Sequence, residues 1–367
     1  MNYLFLHAAR EWSGTAHAFA DAALGLARRG HEVTLAVDPD STVEQALSAL
    51  TGAAPGSRPL VAVEPLSLSG TWLGAAQRLR TLARRTGAGV ILVHTDREHF
   101  IAAVAAWLGS RARIIRRVPA GKRLELQRTG RFAAWLARTC YVFASERDMR
   151  ESPVPRAGSL RIVAQLGIDV PPQAAFPPSP DPDEHMEIVC VHDASSRSRA
   201  AAAVRTVAML APRHPRLRLR VIGETGYDDD LRMQAAALGA LNLVTFLGDR
   251  ADALEVMRPA RLGWVVADGD TAAYGVLGFM SLGIPVLVGE RSTGEQYVLP
   301  EITGVVVPAD DAYLTAAAAS ELLTNESRRE MMGNAARARV AREYPVSAMI
   351  DGFERAAAAA TAPRRRS

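Results

Sequence analysis

Residues 262–288, LGWVVADGDTAAYGVLGFMSLGIPVLV, decide the fold. Gly263 to Ala267 is an apolar run that reads as a buried strand. Asp268 to Ala272 reads as a polar turn, Ala273 to Leu282 as a short helix, and Ile284 to Val288 as a second strand. Gly283 suits the left-handed residue that ends a helix, and Pro285 stops the helix from continuing. Strand, turn, helix and strand make the repeating unit of a parallel sheet. A helix that starts above such a strand aims free N–H groups and its positive dipole end into the space above the sheet, where a phosphate is well received. The dull alternative is a unit of plain core.

The same alternation extends outward. At the start, Tyr3 to His7 reads as a buried strand, and a helix from about Thr15 to Arg29 repeats Phe19, Ala23, Leu24, Leu26 and Ala27 at helical spacing. Gly30 ends it, and His31 to Val37 is the next strand. Strands at 61–63, 90–93 (followed by His94), 113–117, 139–144 and 163–166, with helices at 72–85 and 100–108, complete a doubly wound α/β half. Six of the twelve residues from Pro171 to Pro182 are proline, which neither a helix nor a central strand accepts. A second series follows, with strands at 187–191, 217–222 and 244–247 and helices at 199–210 and 229–238. The tail carries helices at 313–323, 327–342 and 346–360. The expected organisation is therefore a Rossmann-like domain over 1–170, a proline-rich linker over 171–185, and a second Rossmann-like domain over 186–345. A closing helix and basic tail over 346–367 is placed to cross back to the first domain.

The bulk properties narrow the function classes. With 367 residues, 49% of them hydrophobic, the chain can bury two cores and is not a disordered protein. Its net charge is only +4, so any basic partner site is local. Cys140 and Cys190 fall in different halves without metal-ligand spacing, which points to free thiols in a reducing cytoplasm. Met1 to His7 is too short and lacks the cleavage pattern of a signal peptide. No apolar stretch reaches the roughly 18–20 residues that span a bilayer. The Asp-x-Asp strings 38/40, 181/183 and 268/270 could suggest a metal site, but two of them lie in turn or linker composition, so no metal is expected. No G-x-G-x-x-G follows the first strand and no Walker sequence occurs, which disfavours an unrelated nucleotide-cofactor enzyme.

Several motifs, in order, resemble family 4 glycosyltransferases of the GT-B fold, two Rossmann-like parallel-sheet domains facing a central cleft. SGTAHAFADAALGLARRGHEV, with Ser13 and Gly14, is similar to the family's glycine turn and first helix–strand. QLGIDV (165–170), LRLRVIGE (217–224, with Gly223), VTFLGD (244–249, with Gly248), GFMSLGIPVLV (278–288) and TGEQYV with ITGVVVP (293–308, with Glu295) resemble its later segments. The resemblance implies a retaining, metal-independent sugar transferase with no cofactor beyond its nucleotide-sugar donor, which lies on the C-terminal domain. The acceptor meets the N-terminal domain. Chemically, the departing diphosphate must be neutralised by cations and helix ends as the glycosidic bond breaks.

The resemblance assigns roles and also shows departures. Ser13 replaces the family's first glycine, and its E-x7-E motif falls on Asp270 and Gly278, losing the second carboxylate, which holds the ribose in family members. The Arg…Lys phosphate pair falls near HDASSRSR, with Asp193 and Ser198 at or near its positions and Arg197 and Arg199 flanking them. The N-domain histidine maps near RRVPAG, where none exists. The expected catalytic groups are accordingly Arg197, Arg199 and His94, with Ser13, Gly14, Gly223, Gly248, Asp270, Thr271 and Glu295 on the donor. Each has a duller alternative: a solvated turn for the arginines, a tight turn for Gly14, a helix cap for Asp270, a surface ion pair for Glu295, and a structural hydrogen bond for His94.

Nine basic residues against the single acid Glu125 lie between Arg111 and Arg138. Among them Arg116, Arg117 and Lys122 are expected on the acceptor side, facing an anionic or lipid-linked glycan acceptor or the anionic inner face of a membrane. Nucleic acid is disfavoured, because no aromatic interleaving or recognition motif accompanies the charge. The leading function is sugar transfer in the cytoplasm or peripherally on the membrane. The alternative is a degenerate GT-B protein that binds a partner without turnover.

Overall fold

The computed structural model describes residues 1–51, 59–153, 159–172, 186–224, 228–308 and 311–363. Most of the expected linker, 173–185, and the last four residues, 364–367, lie outside the described residues. The chain divides into two compact units, Met1–Leu166 with Val346–Ser367, and Gly167–Pro345.

The first unit alternates β1 (Asn2–His7), α1 (Gly14–Arg28), β2 (Glu32–Val37), α2 (Thr42–Thr51), β3 (Ala62–Pro65), α3 (Trp72–Arg85), β4 (Val90–Val93) and α4 (Asp96–Ala105). It continues with β5 (Arg113–Val118), α5 (Arg128–Leu136), β6 (Thr139–Phe143), α6 (Glu146–Glu151) and β7 (Leu160–Val163). Its seven strands run in the order β3-β2-β1-β4-β5-β6-β7, all parallel. Strands covered on both faces read as continuous apolar runs, which is why VILV of β4 is buried throughout. Side chains alternate across the sheet. Leu4 and Leu6 join the core beneath α3 and α4, while Phe5 between them packs edge-on against Phe19 of α1, 5.2 Å between ring centres.

The second unit holds β8 (Met186–Val191), α7 (Arg197–Leu210), β9 (Leu217–Ile222), α8 (Asp228–Ala237), β10 (Val244–Gly248), α9 (Ala253–Met257), β11 (Leu262–Val265) and α10 (Gly269–Ser281). It closes with β12 (Val286–Gly289), β13 (Gly304–Val307), α11 (Ala312–Thr324) and α12 (Glu326–Glu343). Its parallel strands are ordered β10-β9-β8-β11-β12-β13.

The closing helix, α13 (Val346–Thr361), packs within the first unit against α1 and β5 to β7. Two glycines allow that approach: a Cβ on Gly25 would lie 2.0 Å from Ile350, and one on Gly352 would lie 2.4 Å from Ala164. Arg29 then pairs with Asp351 at 2.6 Å and Glu354 at 2.7 Å, and His31 meets Glu354 at 2.8 Å.

Some elements differ from the sequence-based expectation. α10 starts at Gly269, so the supposed turn residues Asp270 to Ala272 are already helical. Asp268 occupies the capping position in extended backbone, and the positive φ of Gly269 (64°) makes the corner in one residue. The last strand of the first sheet is Leu160–Val163 and not 163–166; Ala164 gives one more N–H to the Phe143 carbonyl, at 2.9 Å, and packs against Gly352. α2, α5, α6 and α9 were not expected. All are ten residues or fewer, too short for apolar periodicity to declare itself.

Within the opening motif, α10 sits close on β11 because Gly263 carries no side chain: a Cβ there would lie 2.3 Å from the Phe279 ring. Gly263→Ala is expected to force these two elements apart and to destabilise the protein by about 1–3 kcal/mol, read as a lowered urea midpoint.

Candidate functional site

In an open parallel sheet, ligands bind beyond the carboxyl ends of the strands, where the strand order reverses. In the second unit that point lies between β8 and β11. The β8–α7 loop brings Asp193 there, and the β11–α10 loop brings Asp268. The Asp193 carboxylate accepts the Asp268 N–H at 2.8 Å. Arg199, in the first turn of α7, donates from Nε to the Val266 carbonyl at 2.7 Å and from Nη2 to the Asp268 carboxylate at 2.6 Å. Thr293, from the loop after β12, accepts the Gly269 N–H at 3.1 Å on its hydroxyl. One arginine, two aspartates and a threonine thus tie three loops to the start of α10. A cavity of about 330 Å³ opens beside this clasp, lined among others by Arg199, Arg205, Arg291, Asp268, Ser198 and Ser292. Its floor includes Trp264 and Val266.

The other side of the same edge is closed by glycines. Gly223 (φ 139°) crosses so near the end of β8 that a Cβ would lie 2.1 Å from the His192 carbonyl oxygen. Its N–H donates to the Gly248 carbonyl at 3.1 Å. His192 is buried with Nδ1 lacking a partner among the described residues, and burial holds its ring neutral below the ordinary histidine range.

The first unit has its reversal between β1 and β4. There His7 ends β1 and His94 follows β4, their rings stacked 4.8 Å apart. Glu98, buried in α4, anchors the crossing. Its carboxylate accepts the N–H groups of Ala8 (2.8 Å), His94 (3.0 Å) and Thr95 (3.1 Å), and lies 2.8 Å from His94 Nδ1. Burial alone would raise the Glu98 pKa, but the two histidines and the N–H donors outweigh it and hold the group at about 2. Burial, assisted by His94, pushes His7 down to about 3, so its ring is neutral, with neither nitrogen bonded among the described residues.

The structure gathers only part of the expected set. Arg199, Gly223, Gly248, Asp270 and Thr271 lie along the carboxyl edge of the second unit, and His94, Ser13 and Gly14 along that of the first. Ser13 is the N-cap of α1, accepting the Ala16 N–H, and Gly14 is that helix's first residue. Arg197 departs from expectation: it is drawn to Asp230 of α8 in an ion pair, because residues two apart on a helix point to nearly opposite sides. Asp270 is not the helix cap. It lies inside the first turn and is buried. Glu295 accepts the Arg291 N–H of its own loop. Arg116 and Arg117 are not surface cations, because both sit in central strand β5 and are buried. Arg116 reaches Asp96 at 2.5 Å and His99 Nδ1 at 3.4 Å. Lys122, in the loop beyond, is exposed. Gly278 faces α9, where a Cβ would lie 3.1 Å from both Leu254 and Met257.

From the sequence, Asp268 reads only as part of an Asp-x-Asp string, and Thr293, His7 and Glu98 are not assigned to a site. Glu98 did carry a signal, since Thr95 and Glu98 form a capping box at the start of α4. Among the described residues no group of three or more His, Cys, Asp or Glu could hold a metal ion, and no helix is long and apolar enough to cross a membrane.

The Glu98 and His7 shifts have the same sign with respect to pH. The unfolded chain binds protons at about 6.5 (His7) and 4.5 (Glu98), whereas the folded chain binds them only near 3 and 2. Stability is therefore full above the unfolded values and falls as pH drops from about 6.5 towards 2. Glu98→Gln is expected to cost about 1.5–3 kcal/mol at neutral pH and to flatten the loss between 4.5 and 2, measured by denaturant melts across pH.

Residues 173–339 match the family of Glycosyl transferases group 1. Compared by sequence, no curated protein matches the chain. Among solved structures, Anabaena Alr3699/HepE in complex with UDP and glucose superposes with a TM-score of 0.77 at 16% identity, over 98% of this chain and 100% of that one. A glycosyltransferase from Rickettsia africae ESF-5 gives 0.76 at 12% identity, over 98% of each chain. WaaG, a glycosyltransferase involved in lipopolysaccharide biosynthesis, gives 0.66 at 14%, over 99% of this chain and 100% of that one. These likenesses are of fold, and the fold is GT-B. The match to the group 1 glycosyl transferases spans residues 173–339, a little under half of the chain.

Proposed function

We propose that the chain transfers a sugar from a nucleoside-diphosphate sugar to a glycan or lipid-linked acceptor, without a metal ion or other cofactor and with retention at the anomeric carbon. The observation that carries this reading is the Arg199–Asp268 clasp at the start of α10, inside a glycosyltransferase-family domain. The pair is about one-third exposed on the arginine and one-quarter on the aspartate, so it is open to exchange. A diphosphate, with more charge and more acceptor oxygens than a carboxylate, competes for the guanidinium and for the N–H groups that open α10. As the sugar departs, the negative charge that grows on the diphosphate is met by Arg199 and by the helix end. Asp268 recaptures Arg199 when the nucleotide leaves. Retention is supported by the family resemblance.

The Anabaena structure contains UDP and glucose, which makes UDP-sugars the first donors to test. The lipopolysaccharide role of WaaG supports a glycan acceptor. The buried free thiols Cys140 and Cys190, each pushed up to about 12 by burial, suit a reducing cytoplasm. There the protein would work peripherally on the inner membrane face.

UDP is expected to raise the thermal midpoint, with EDTA making no difference. Arg199→Ala should weaken UDP binding about 10- to 100-fold, while Arg197→Ala changes it little. Asp268→Asn frees Arg199 from its internal competitor and should tighten UDP severalfold. Calorimetric titration checks all three, and equal losses for both arginine variants would sink the clasp. Anomeric proton NMR of the first product reads retention directly.

A further inference from the structure

Of the five tryptophans, Trp12 and Trp264 are buried, and the other three all sit on the outer side of the α3–α4–α5 layer. Trp72 is 55% exposed, Trp135 67%, and Trp107, in the turn that continues α4, 68%. Trp72 and Trp135 belong to a connected aromatic strip. Trp72 stands 5.7 Å from Phe100, Phe100 6.1 Å from Phe132, and Phe132 5.6 Å from Trp135, between ring centres. Trp107 lies two helical turns beyond Phe100, on the same side of α4. Leu73 and Phe132, both exposed, fill the strip. A folded chain normally covers such rings, and an uncovered apolar patch of this kind marks an interaction surface.

The charge around the strip selects its occupant. Neither α3 (WLGAAQRLRTLARR) nor α5 (RTGRFAAWL) contains an acidic residue. Arg111, Lys122, Arg128, Arg131 and Arg138 are exposed and form no ion pair among the described residues. The acids of α4 are already committed, Asp96 to Arg116 and Glu98 to its buried anchor. A second copy of this face would set arginine against arginine. Tryptophan and phenylalanine among uncompensated arginines match the headgroup region of an anionic bilayer, where amphipathic rings settle and each cation adds attraction.

We propose that the α3–α4–α5 face docks the protein on an anionic membrane surface, with Trp72, Trp107, Phe132 and Trp135 entering the headgroup layer. Trp72 opens α3, so that end of the docked strip adjoins the carboxyl edge of the first sheet, where His94 stands, while Trp107 and Trp135 lie toward the far ends of their helices. That placement suits a lipid-linked acceptor and in this respect rests on the proposed transferase reading. The docking itself does not.

The test is flotation of the full chain with phosphatidylcholine vesicles, with and without phosphatidylglycerol. The wild type should float only with the anionic vesicles, and its tryptophan fluorescence should shift to the blue. Trp72→Ala/Trp135→Ala and Arg128→Glu/Arg131→Glu should each weaken binding about tenfold or more. Both should keep the wild-type melting temperature and UDP affinity, since the altered side chains are exposed. Failure of the wild type to float, or flotation unchanged in both variants, overturns the proposal. So does a wild-type dimer that the tryptophan variant dissociates, which would make the face a self-interface. Anionic flotation without UDP binding supports the docking face while removing the nucleotide reading.

Discussion

Asp268 is the residue on which the carboxyl edge of the second unit depends. Its N–H is held by Asp193, its carboxylate by Arg199, and the next N–H in the chain by Thr293. Two carboxylates at hydrogen-bonding distance from one loop would repel each other. They coexist because each faces a donor: Asp193 takes an N–H, and Asp268 takes a guanidinium. The arrangement fixes where α10 begins, and hence where its positive end points. It also means that the crevice is not simply positive. Three arginines and three acids (Asp268, Glu290 and Asp311) line the adjoining cavity, so an anion must exchange with an internal partner to enter. Such exchange lowers apparent affinity by the fraction of time the clasp is closed.

The first unit solves the same topological problem with a different charge plan. At its reversal point, a fully buried carboxylate takes three backbone N–H groups and faces a histidine. A buried anion is tolerable only when its lone pairs are filled, and Glu98 meets that condition. The result is a rigid crossing of β1 and β4, because any movement of Ala8, His94 or Thr95 would leave part of the charge unsatisfied. His94 is thereby held from one nitrogen, which orients its ring at the end of the strand. The sheet edge is stiff in this unit and exchangeable in the other.

Much of this was legible in the sequence, and the reasons are local. Runs such as VILV and EIVCV, and glycines placed after helices, report burial and chain reversal directly, so most strands of the two parallel sheets could be read without a structure. The partners of charged residues could not. Arg197 and Arg199 look alike in RSRA, yet one meets Asp230 and the other Asp268, because helical geometry sends them apart. The basic run from 111 to 138 reads as one face, but β5 passes through it and takes Arg116 and Arg117 inside. The strip of exposed rings was hidden for a similar reason. Trp72, Phe100, Trp107, Phe132 and Trp135 come from separate elements, and only helix packing makes them neighbours.

The position of Gly278 bears on how a nucleotide could be held at all. A glutamate at this point of α10 would meet Leu254 and Met257 of α9 before reaching open space, since even a Cβ lies 3.1 Å from each. Glycine instead lets α9 close against α10, so the lost carboxylate is coupled to a tighter helix contact. On the transferase reading proposed above, Gly278 offers a ribose no carboxylate, and a larger share of the donor affinity comes from the diphosphate end. On that reading Arg199 and the positive end of α10 are more decisive here than they would be beside a second glutamate. The same shift makes binding more sensitive to salt, because hydrogen bonds to a partly exposed guanidinium are screened more readily than those made within a buried ribose pocket.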